Sequence, residues 1–85
     1  MVYTKTYRPP PIPVPRDQPV DDATLVWLTR ESFDRQAASD ALVIVSFTDL
    51  GEIPAEDIPP KFDELLGRPA TDFVWRAFEG VAQRA

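Results

Sequence analysis

Apolar positions along this chain fall into four groups with different spacings, separated by proline and charged residues. The clearest is Ala41-Leu42-Val43-Ile44-Val45-Ser46-Phe47-Thr48, a short continuous run rich in β-branched residues. It is preceded by Ser39-Asp40 and followed by Asp49-Leu50-Gly51. Such a run predicts a strand over about 41–48, of the kind usually covered on both faces. A monomer must cover it with its own helices. In an oligomer, neighbouring copies can supply the cover and the missing strand partners.

Residues 21–39 carry a mixed signal. Leu25-Val26-Trp27-Leu28-Thr29 reads locally as strand, but the flanks predict helix. Asp21 suits the N-cap, and Asp22 sits by the positive end of the helix dipole. Glu31 and Arg35 stand at i, i+4. At about 100° per residue, Leu25, Val26, Leu28, Phe33 and Ala37 share one broad face. Trp27 falls among the charges on the other.

Toward the end, Phe73, Val74, Ala77, Phe78, Val81 and Ala82 recur at helical spacing. They predict an amphipathic helix over about 71–84, capped by Thr71 or Asp72. Gly80 within it costs about 1 kcal/mol against Ala, or admits a close approach. A short helix over about 60–66 is expected after Pro60 and before Gly67. In the intervening loop, Ile53 and Ile58 are suited to peg the chain to a core.

The first twenty residues follow none of these patterns. Pro9-Pro10-Pro11-Ile12-Pro13-Val14-Pro15 cannot be helix interior or central strand, because each ring fixes φ near about −65° and removes a donor. An extended polyproline rod is expected, preceded by a short edge strand or further extended chain over Val2–Tyr7. The predicted architecture is a small single α+β domain (21–85) with a proline-rich docking arm (1–20).

Composition narrows the chemistry. The 85 residues include no cysteine and no histidine, so no disulfide, thiolate ligand or imidazole base is present. The carboxylate pairs Asp21/Asp22, Glu56/Asp57 and Asp63/Glu64 are adjacent in sequence and point apart on a helix, unlike a facing acid/base pair. No metal-binding spacing or phosphate-cradling glycine loop is present. No enzymatic activity and no cofactor are expected. The net charge of −5 argues against phosphate-backbone binding, so no nucleic-acid partner is expected. The sequence lacks an apolar stretch long enough to cross a bilayer, and no secretory leader opens it, so no membrane partner and cytoplasmic synthesis are expected.

What remains is protein recognition. Tryptophan and arginine dominate interface hot spots, which singles out Trp27 with Arg30 and Trp75 with Arg76. Tyr7, Arg8, Pro9, Pro10, Pro11, Ile12, Pro13, Val14 and Pro15 are the candidate docking arm, whose stiffness limits the entropy lost on binding.

The order Tyr7-Arg8-Pro9-Pro10-Pro11-Ile12-Pro13, Asp22, Trp27-Leu28-Thr29-Arg30-Glu31, Arg35-Gln36-Ala37-Ala38 resembles small tailed-phage tail-tip or fibre-associated proteins. In those, a proline-rich lead enters one amphipathic helix. Ser32 and Gln36 depart from that pattern. The resemblance implies a structural or adaptor protein of a larger homo- and hetero-oligomeric assembly, such as a phage virion. The other expected function is a small acidic regulator that binds and inhibits a host or cellular protein.

Overall fold

A computed structural model describes residues 3–84. It shows a small α+β domain built on one four-stranded antiparallel sheet. In chain order the elements are β1 (Thr4–Tyr7), β2 (Ile12–Pro15), α1 (Asp22–Ser39), β3 (Leu42–Ile53), α2 (Lys61–Leu66) and β4 (Phe73–Arg84). Two 3-10 turns, Ala55–Asp57 and Ala70–Asp72, flank α2.

Every strand pairs with β4. On one side lies β3, from Leu42 opposite Arg84 to Ile53 opposite Trp75. On the other side β1 and β2 lie end to end, with Thr4 opposite Gln83 and Ile12 opposite Arg76. The segment expected to be an arm docked on a neighbouring subunit is therefore an edge of the chain's own sheet. Alternating prolines explain how it can be one. The backbone groups of alternate residues on an antiparallel edge strand face the partner, and those between face away. Ile12 and Val14 keep their N–H groups, whereas Pro13 and Pro15 occupy the outward positions where no donor is needed. The same alternation continues to Arg16, whose N–H donates to the Asp72 carbonyl at 2.9 Å. Between the two strands, Arg8–Pro11 places four residues opposite the three of Ala77–Glu79, so the triple proline forms a bulge in one interrupted edge.

The C-terminal segment, expected to be a helix, is instead the central strand β4. Its register shows why it must be. Val74, Phe78, Gly80 and Ala82 share the face under α1, and Phe73 and Trp75 lie on the opposite face. Gly80 lets α1 approach closely. A Cβ there would stand 2.3 Å from Phe33 Cδ2, well inside van der Waals contact.

α1 starts where expected, with an Asp21 carboxylate oxygen accepting from the Thr24 N–H at 3.3 Å. Leu25, Thr29, Phe33 and Ala37 are its buried stripe. Thr29 satisfies its hydroxyl on the Leu25 carbonyl at 2.7 Å. With Tyr7, Val14, Leu42, Phe78 and Ala82, Leu25, Phe33 and Ala37 make the main core, against which Phe47 packs, stacking on Phe78 and meeting Phe33 edge-on. Leu28, expected on the apolar face, is half exposed.

A second core lies across the sheet. Between β3 and β4 the chain folds over Phe73 and Trp75, pegged by Ile58 and by partly buried Ile53 and Phe62. α2 closes on Gly67 with φ +68°, a conformation that costs glycine little. β3 runs five residues beyond the expected end and is covered on one face only over most of its length.

Candidate functional site

The predicted contact residues separate once placed in the fold. Tyr7 and Val14 are core residues. Pro13 and Pro15 sit at the outward positions of β2, and Ile12 packs partly against the core. Arg8 reaches Glu79 at 3.3 Å. Trp75 is 1% exposed and donates its indole N–H to the Ala70 carbonyl at 2.8 Å, so it is an internal anchor rather than an interface residue. Arg76 is also committed internally. Its guanidinium bridges the Asp22 carboxylate, at 2.6 Å, and that of Asp49, joining the start of α1 to β3 across β4. The hydrogen bond to Asp22, ahead of the Asp49 contact, holds the Arg76 pKa above its ordinary value. Trp27 does face solvent, at 59% exposure. Arg30 pairs with Asp34 one turn along at 3.1 Å and lies over the Phe47 ring.

A polar cluster ties β1 to the end of α1. Asp40 Oδ2 accepts from the Tyr7 hydroxyl at 2.5 Å and from Lys5 Nζ at 2.9 Å. These two hydrogen bonds, Tyr7 first, hold the Asp40 carboxyl below the usual carboxylate value. The same contact raises Lys5 and Tyr7 above theirs. A carboxylate depressed in the folded state contributes stability above its unfolded pKa and loses it as pH falls through the folded value. We therefore expect wild type to melt higher than Asp40→Asn at neutral pH. That difference should close as pH drops below 3.8, the ordinary Asp value. A pair of calorimetric melting series checks it, and a constant gap across the acid range contradicts it. The cluster is solvated, so the effect is modest.

The surface that sequence reasoning did not single out is the sheet face away from α1. Cross-strand register gathers Thr4, Thr6, Val81, Gln83, Val43, Ser46 and Thr48 on it. Val43, Val45 and Leu50 are 45%, 53% and 50% exposed. Its one paired carboxylate, Glu79, is neutralised by Arg8. A mostly apolar and hydroxyl face on a chain that is 27% charged matches the charge depletion of interface centres. The second core covers only the end of this face near Trp75.

The two long edges of the sheet are unlike. The β1–β2 edge carries five prolines between Pro9 and Pro15, which leave few donors to offer another strand. The outer edge of β3 has no proline and no lysine over its 12 residues. Among the described residues no strand pairs with it. Two β-bulges interrupt it, between Ile44 and Ser46 and between Asp49 and Gly51. Gly51 takes φ +88°, and its N–H is held by Asp49 Oδ1 at 2.8 Å.

A separate apolar groove of about 380 Å³ lies between α1 and the triple-proline bulge, lined by Pro9, Ile12, Leu25, Leu28, Thr29, Ser32 and Phe33. Among the described residues, acidic side chains do not gather into a group able to hold a metal ion. No helix there is long and apolar enough to cross a membrane. No protein-family model matches the chain, nor does any curated protein or solved structure.

Proposed function

We propose that this chain is a non-enzymatic structural or adaptor subunit of a larger protein assembly, a phage virion being the setting that the sequence resemblance implies. Docking occurs through the open sheet face rather than through a free proline arm. The observation that carries this reading is the near-absence of charge on that face, where half-exposed Val43 stands among Thr4, Thr6, Ser46, Thr48, Val81 and Gln83. Burying such a face is favourable by about 25 cal/mol per Å² of apolar surface removed from water. A sheet face of this kind suits a neighbouring subunit better than a small ligand, which needs a concave site.

A second reading has its own observation. Trp27, 59% exposed beside half-exposed Leu28, is the type of anchor a small acidic regulator would insert into a target protein.

Carbene footprinting separates the two. The chain is labelled alone and in assemblies isolated at native abundance. Subunit docking predicts a several-fold loss of labelling at Thr6 and Val81, in the open face, with Trp27 unchanged. Equal labelling in both states rejects the proposal, and protection confined to Trp27 transfers the function to the regulator reading.

A further inference from the structure

The bulges of β3 are placed symmetrically. One spans Val45-Ser46 opposite Val81, the other Leu50-Gly51 opposite Ala77. Thr48 lies midway, two residues from Ser46 and two from Leu50. Bulges normally guard an edge, because the kinks reject a straight incoming strand. A partner with matching kinks at mirrored spacing is not rejected, and a second copy of β3 running antiparallel has them.

We infer that β3 pairs antiparallel with β3 of a second copy of this chain about a two-fold axis at Thr48. In that register Thr48 faces its own counterpart, Phe47 faces Asp49, Ser46 faces Leu50, Val45 faces Gly51 and Ile44 faces Glu52. Directly opposed residues of an antiparallel pair must lie on the same side of the sheet. The three pairs whose sides β4 fixes obey that rule: Phe47 with Asp49 and Ile44 with Glu52 are on the α1 side by their pairing with β4, and Thr48 with its counterpart is on the other. A register one residue off breaks the rule at the centre, setting Thr48 against Phe47 or Asp49, and Ile44 against Gly51 or Ile53.

Charge selects the same orientation. Leu42–Thr48 is uncharged, and both carboxylates of β3, Asp49 and Glu52, lie in its second half. Parallel pairing would set acidic halves side by side. The antiparallel register puts each carboxylate beside an uncharged residue of the other copy. It also brings Leu50 of each copy against Ser46 of the other, covering apolar surface that is half exposed in one chain.

The backbone supports the pairing too. Because the N–H of Arg16 and its in-register neighbours faces β4 opposite even-numbered residues, the odd-numbered residues of β4 face β3. Thr48, opposite Glu79, therefore spends its backbone groups on β4, and Phe47 and Asp49 present theirs outward. Thr48 and its counterpart form a non-hydrogen-bonded pair, with Cα atoms about 4.5 Å apart. That spacing is within disulfide reach.

This inference rests on the assembly reading only in supplying one of the subunit's neighbours, and it is tested on the purified chain. The chain has no cysteine, so Thr48→Cys introduces a single thiol at an exposed site. Native mass spectrometry of wild type is expected to show twice the 9.6 kDa chain mass. Mild oxidation should convert Thr48→Cys to a crosslinked dimer at least tenfold faster than Val43→Cys, whose two thiols would lie on the order of 25 Å apart. A monomeric wild type, or equal crosslinking of the two variants, overturns the pairing. A monomer whose Thr6 and Val81 are still protected in native assemblies would sink this inference and leave the proposed function standing. A dimer without that protection would do the reverse.

Discussion

Deleting residues 1–16 is expected to abolish the cooperative fold. The segment contributes both strands on one side of β4, and without them one whole edge of the central strand loses its partners. It also withdraws Tyr7 and Val14 from the main core and Ile12 from its margin. Burying side chains of this size contributes about 1.5–3 kcal/mol each. Tyr7 and Val14 alone amount to about 3–6 kcal/mol, a large share of the whole stability of a typical small domain. Circular dichroism should show loss of the sheet signal and of a sharp thermal transition. A truncated chain that melts like the intact one would show that the segment is not part of the sheet.

Trp75→Ala is expected to be the most damaging single substitution. Large aromatic-to-alanine changes in cores cost about 3–5 kcal/mol. Here the loss includes the indole hydrogen bond to Ala70 and edge-on contacts with Phe62 and Phe73. These contacts hold the connection between β3 and β4 against the sheet, so its 3-10 turns and α2 should exchange amide protons first. Trp27→Ala, on the exposed side of α1, should stay within about 0.5 kcal/mol of wild type. Urea denaturation of the two variants gives the comparison. Similar midpoints would contradict the assigned burial.

The contrast between the two tryptophans shows what could be read from sequence and what could not. α1 was legible because its cap, charges and apolar stripe outweigh the strand-like run Leu25–Thr29, and β3 because seven β-branched or apolar residues stand nearly together. β4 was not. A strand covered on one side throughout shows period two, but β4 changes its covered side midway. Phe73 and Trp75 are buried by the connection on one face, Phe78 and Ala82 by α1 on the other. The switch moves apolar positions from odd to even numbers and imitates helical spacing. Trp75 then falls off the apparent stripe and looks like a surface anchor. The proline edge was hidden for a different reason: Ile12-Pro13-Val14-Pro15 has the period of an edge strand, but the preceding triple proline made a rod the simpler reading. The exposed face of β3 was masked by its bulges, which shift the alternation so that Val43, Ser46, Thr48 and Gly51 share a side without sharing one simple period.

Because β4 is the strand to which all others join, order of synthesis matters. Thr4 must wait for Gln83, and β3 likewise has no partner until the chain beyond Phe73 has emerged. On the ribosome, α1 and the bare β3 would stand unprotected until β4 emerges. Long-range pairing of this type also folds slowly. Nascent-chain arrest before Phe73 should therefore leave the polypeptide protease-sensitive and in need of a chaperone's shelter.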